Sequence, residues 1–128
     1  MTDENRRENA LNEAALGDDA SKAARALVDL GLPNDAVSRA YYAAFHYGRA
    51  VLLCHGLEPK PHRGVLALLE RSAGEAGWLS RDAVTRLAHL QTFRSVADYD
   101  ARVRISLERA REEVAASETF IAEARSIV

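Results

Sequence analysis

Arg39, Tyr42, His46 and Arg49 recur at intervals of three and four residues within "SRAYYAAFHYGRAV", residues 38–51. On a helix turning 100° per residue they share an arc of about 80°. The guanidiniums are fixed, forked cations, the imidazole titrates near neutral pH, and the phenol both donates and accepts. Such a set can hold a phosphate, move a proton or grip a subunit. On the other side Val37, Tyr41, Ala44, Phe45, Gly48, Val51 and Leu52 fall within about 120° and form an apolar face. The helix is therefore expected to build core with one face, where Ala44 and Gly48 admit a close neighbour. The other face is expected to be a subunit interface or a ligand groove.

Arg94 and Asp98 form a second constellation. Ala83, Leu87, Leu90 and Ala97 lie within about 60° of Arg94 around the helix, and Asp98 is about 40° away, so both charges fall on an apolar face. An i,i+4 ion pair can simply brace a helix. Here Arg precedes the acid, the weaker order, and a carboxylate near a helix C-terminus opposes the dipole. Desolvating both ions is costly unless further hydrogen bonds complete the pair. Two prolines set Lys60, His62 and Arg63 in a stiff loop. Candidate ligand-binding or dimer-interface residues are thus Arg39, Tyr42, His46, Arg49, His62, Arg94, Asp98 and Tyr99. If a reaction is catalysed, the candidates are Arg94, Asp98, His46 and His62. His55, next to Gly56, and His89, on the outer side of its helix, have weaker claims.

The four histidines lack metal-ligand spacing, so no metal or other cofactor is expected. No Gly-rich phosphate loop or Ser/His/Asp arrangement stands out.

The elements positioning these residues are helical. Ala, Leu, Glu and Arg dominate, and β-branched residues never alternate as they would in a strand. Five helices are expected. The first spans 8–30, with apolar positions at Leu11, Ala15, Ala20, Ala23, Ala24, Leu27 and Leu30 and a break or kink at 17–19. The second spans 35–55, ended by Gly56, and the third 64–73. The fourth runs from 81 to about 99 with Ser80 as N-cap, and 100–104 makes a turn. The last spans 106–127 and carries Leu107, Ala110, Val114, Ser117, Ile121, Ala124 and Val128 at alternating spacings of three and four, a seam for a neighbouring helix. The expected fold is all-α, an up-and-down four- or five-helix bundle occupying residues 1–128 as a single domain.

Charge is unevenly placed. Residues 1–35 carry four Lys/Arg against eight Asp/Glu, residues 36–94 eight against four, and residues 95–128 five against seven. A basic middle of +4 permits contact with nucleic acid without arguing for it. The single cysteine, Cys54, forms no intrachain disulfide and is expected to be a small buried apolar residue. With no apolar N-terminal region and no run long enough to span a bilayer, a cytoplasmic protein without membrane contact is expected.

Taken in order, "SRAYYAAFH", "KPHRG" and "FRSVADYD" resemble the HEPN superfamily. They look most like the small stand-alone bacterial and archaeal HEPN proteins often encoded beside a minimal nucleotidyltransferase. The resemblance covers roughly residues 8–125. It implies a helical homodimer of toxin–antitoxin type, a minimal nucleotidyltransferase as possible partner, and RNA or a nucleotide as ligand. In many members an Arg-x4–6-His motif from each subunit forms a metal-independent ribonuclease site at the dimer interface. This chain departs from it, because positions four to six after Arg94 are Asp98, Tyr99 and Asp100. The expectation is a binding module without the standard ribonuclease centre. The alternatives are an endoribonuclease with a non-standard site, its imidazole from His46 or His62, and a purely structural helical dimer.

Overall fold

The computed structural model describes residues 2–58, 62–75 and 78–128, without the side chains of 62, 63 and 72–75. Five helices follow in order: α1 (Asp3–Asp29), α2 (Pro33–Cys54), α3 (His62–Glu75), α4 (Arg81–Tyr99) and α5 (Leu107–Arg125). The described residues contain no strand, so the chain is an all-α bundle.

Two glycines punctuate it. After α1, Gly31 (φ 75°) donates to Val28 O at 3.0 Å while Leu32 N–H reaches back to Leu27 O at 2.9 Å. After α2, Gly56 (φ 79°) donates to Leu53 O and Leu57 N–H to Leu52 O in the same pattern. Both are left-handed helix stops that satisfy orphan carbonyls. Ser80 and Ser106 cap α4 and α5 by accepting from Ala83 N–H and Arg109 N–H, each at 3.1 Å.

α2 is the central element, packing against the other four helices, whereas α1 and α4 do not pack on each other. The expected apolar face of α2 is buried throughout. Gly48 admits α3 and α4, since a Cβ there would sit 2.9 Å from Leu69 Cδ1 and 3.7 Å from Leu87 Cδ2. Burial extends further round than one face, to Ala36, Ala40, Ala43, Tyr47, Ala50 and Leu53. What remains open is the narrow stripe carrying Arg39, Tyr42, His46 and Arg49.

Several expectations are corrected. α1 starts at Asp3 rather than 8, because Thr2 Oγ1 accepts from Asn5 N–H at 3.1 Å and caps it. It runs unbroken through 17–19. Its buried stripe is Ala10, Ala14, Gly17, Ala20, Ala24 and Val28, while Leu11, Ala15 and Leu30 are exposed. Small residues let α1 approach α2 closely, and larger side chains are left at the rim: a Cβ on Gly17 would lie 2.6 Å from Tyr47 Cδ2. Cys54 is exposed rather than buried, since it ends α2 beside a pocket lined by Arg7, Leu11 and Val128, whereas Val51, Leu52 and Leu53 of the same turn face the core. Partial burial still pushes its thiol pKa up, against the pull of Arg7. On α5 the expected seam is present, and Phe120 and Glu113 are buried beside it.

Polar locks fix the bundle. Tyr47 donates to Asp18 Oδ1 at 2.6 Å and accepts from Arg125 Nε at 3.3 Å, joining α1, α2 and α5. Ser117 donates to Ala40 O at 2.7 Å. Asn34 donates to Val103 O and accepts from Ile105 N–H, pinning the α4–α5 connection to the start of α2. No described helix is long and apolar enough to cross a membrane.

Candidate functional site

Because α1 and α4 both pack on α2 without meeting, the polar stripe of α2 forms the floor of a valley between them. On the α1 side, His46 Nδ1 lies 2.7 Å from Glu13 Oε2, with side chains 23% and 15% exposed. Arg49 Nη1 approaches the other oxygen, Oε1, at 3.6 Å. Burial raises the pKa of Glu13, but the His46 hydrogen bond and the Arg49 charge outweigh it and hold the carboxyl below the ordinary value. An ionised Glu13 accepts only, so Nδ1 carries the shared proton and Nε2 is left for something else.

On the α4 side, Arg94 Nη2 donates to the Tyr42 hydroxyl at 2.6 Å. Its Nε is 2.9 Å from Asp98 Oδ2, with side chains 21% and 32% exposed. That N–H is not aimed at the carboxylate, and Nε is buried without a hydrogen bond. The Arg94 guanidinium lies 5.4, 5.1 and 6.0 Å from the ring centres of Tyr41, Tyr42 and Tyr99. Arg39 covers the Tyr42 ring at 5.0 Å. Cation–π contacts thus supply part of what hydrogen bonds leave undone. Burial raises the pKa of Tyr41, and Arg94 draws it back only in part.

The structure brings Arg39, Tyr42, His46, Arg49, Arg94 and Asp98 into one valley, with Tyr99 at its rim, 80% exposed beside exposed Val96. His62 opens α3, but its side chain lies outside the described residues, as does Lys60. His55 stacks on Trp78 at 3.7 Å and its Nδ1 lies 2.9 Å from Val51 O, while His89 is exposed. Among the described residues no three His, Cys, Asp or Glu side chains are grouped to hold a metal ion. Sequence reasoning missed Glu13. The available signal was a carboxylate flanking the small-residue stripe of α1, one position before Ala14.

Comparison with known proteins finds a match to the HEPN domain over residues 16–127. The chain belongs to the HEPN family. A UPF0332 protein of Archaeoglobus fulgidus is 33% identical to this HEPN chain over 100 residues, covering 78% of it and 79% of the relative. A UPF0332 protein of Gloeobacter violaceus is 35% identical over 101 residues, covering 78% and 80%. The "Putative toxin MJ0142" of Methanocaldococcus jannaschii is 35% identical over 75 residues, 59% of this chain and 51% of that one. The matched segment takes in α2, α4 and α5 whole, with the Tyr42–Arg94 contact, and begins just after Glu13.

Proposed function

We propose that this HEPN chain is a toxin-like module that acts as a homodimer in the cytoplasm, associates with RNA or a nucleotide, and lacks the standard Arg-x4–6-His ribonuclease centre. Residues 1–128 act as one helical domain, and a minimal nucleotidyltransferase is the protein partner this reading favours. The observation that carries it is Arg94. The Arg94 side chain, 21% exposed, lies against the Tyr41 and Tyr42 rings, with the exposed Tyr99 ring 6.0 Å away and Val96 exposed on the same helix. Arg and Tyr clustered at a partly desolvated, apolar-rimmed spot is the composition of a binding hot spot. No imidazole occupies the positions that follow Arg94, which weighs against the family's usual cleavage chemistry.

The test is Arg94→Ala. Sedimentation should show a weakened dimer, or gel-shift titration a weakened RNA complex. If both remain as in the parent, the reading fails. A metal-independent endoribonuclease is the second reading, favoured by the Glu13-held His46. Cleavage of a structured RNA in excess chelator, abolished by His46→Gln, would replace the first reading with the second.

A further inference from the structure

Where α1 begins and α2 stops, a pocket of about 300 Å³ lies beside a small apolar cluster of Ala10, Ala50 and Leu53, separate from the main core. It shares no residue with the Arg94 valley, and its volume is at the lower end for small-molecule sites. Ala10, Leu11, Ile127 and Val128 give it aliphatic walls, and no aromatic ring lines it among the described residues. Leu11 is 51% exposed, so part of this apolar surface still faces water. Arg6 and Arg7 supply the charge, and they are not equivalent. Arg6 pairs with Asp3 and lies against Gly56, where an added Cβ would stand 2.7 Å from its Nη1. Arg7 is exposed and makes no ion pair among the described residues. Its charge nevertheless reaches the Cys54 thiol, which lines the same pocket and whose pKa it draws down against burial. The unpaired guanidinium therefore stands at the pocket.

We propose that this pocket binds a free medium-chain alkyl carboxylate, its head on Arg7 and its chain along Leu11, Ile127 and Val128. The class follows from what the walls offer. A guanidinium fork matches a carboxylate with two parallel hydrogen bonds. Asp3 offsets Arg6, so the side chains present one net positive charge, which balances a monoanion and undercompensates a phosphate dianion. With no ring to stack on, a base or sugar gains little here, whereas a methylene chain removes aliphatic wall from water. The proposal is independent of the RNA- or nucleotide-associated reading, and either can fail without the other.

Cys54 makes the full chain its own reporter, because a ligand in the pocket shields the thiol from dipyridyl disulfide. Octanoate should slow that reaction saturably, half-protecting at a concentration about tenfold or more below octanol, the worth of a charge-assisted contact. Acetate, which keeps the head and lacks the chain, should protect still less. Arg7→Gln should bring octanoate to the level of octanol, and Leu11→Ser should weaken both alike. Arg7 and Leu11 are exposed, so these variants are expected to fold. Calorimetric titration of Cys54→Ser with octanoate checks the result without the reporter, and parental affinity is expected there. Protection that never saturates, equal protection by octanol and octanoate, or an Arg7→Gln variant with parental affinity would overturn the proposal. So would a Cys54→Ser variant that binds no octanoate at millimolar concentration.

Discussion

Replacing Glu13 by Gln keeps the shape of the side chain and removes its charge. Glu13 is 15% exposed and faces two basic partners, His46 at 2.7 Å and Arg49 at 3.6 Å. Gln still accepts from His46 Nδ1, so the loss is chiefly the charge-assisted part of that bond and the attraction to Arg49. Arg49 Nε is already buried without a hydrogen-bond partner, which deepens its dependence on a nearby negative charge. With residual exposure discounted, the cost is about 1–2 kcal/mol. At this chain length that lowers Tm by roughly 3–8 °C. The sign with pH follows from a folded-state pKa below the ordinary 4.5. Stabilisation by Glu13 is complete above that value and is lost as pH falls through the lower folded value. Calorimetry of parent and Glu13→Gln from pH 7 to pH 3 should show two Tm values that converge at the acid end. Equal Tm values at pH 7, or a gap that widens below pH 4.5, would refute the coupling.

Gly17→Ala gains about 1 kcal/mol of helix propensity but drives a Cβ to 2.6 Å from Tyr47 Cδ2, at an overpacking cost of about 1–3 kcal/mol. It should therefore destabilise the parent to urea and cost less in a Tyr47→Ala background, where only the Ala43 carbonyl oxygen, 3.1 Å from the new Cβ, remains close. An equal cost in both would count against the close approach. Tyr99→Ala should leave Tm unchanged within about 0.5 kcal/mol, since the ring is 80% exposed, while weakening self-association in sedimentation. Parental self-association would remove Tyr99 from the proposed interface. Cys54 should react with a disulfide reagent in the native state, more slowly than free cysteine and faster as pH rises. A thiol that reacts only on unfolding contradicts its placement.

How much of this was legible depends on where each signal lay. The bounds of α4 could be read because Ser80 is a local cap and the charged turn after Tyr99 follows directly. The apolar face of α2 could be read because large side chains mark it. The stripe of α1 could not, because its contacts are made by alanine and glycine, and periodicity weighted by size points to the leucines at the rim. The Arg94–Asp98 pair is visible as an i,i+4 spacing, but Tyr42 as the acceptor for Arg94 is 52 residues away. Glu13 and His46 meet only once α1 and α2 close as a hairpin, 33 residues apart, so no spacing within either helix announces them.

The left-handed glycines that end α1 and α2 leave little slack for a change in length. One residue inserted into α2 after Tyr42 would rotate everything beyond it by about 100°. That would swing His46 off Glu13 and Tyr47 off Asp18, while Arg39 and Tyr42 kept their places. Extra residues should therefore be tolerated in the connection between α2 and α3, after Glu58 for example, and rejected between Tyr42 and Leu53. In this chain the length of one helix is itself part of the site.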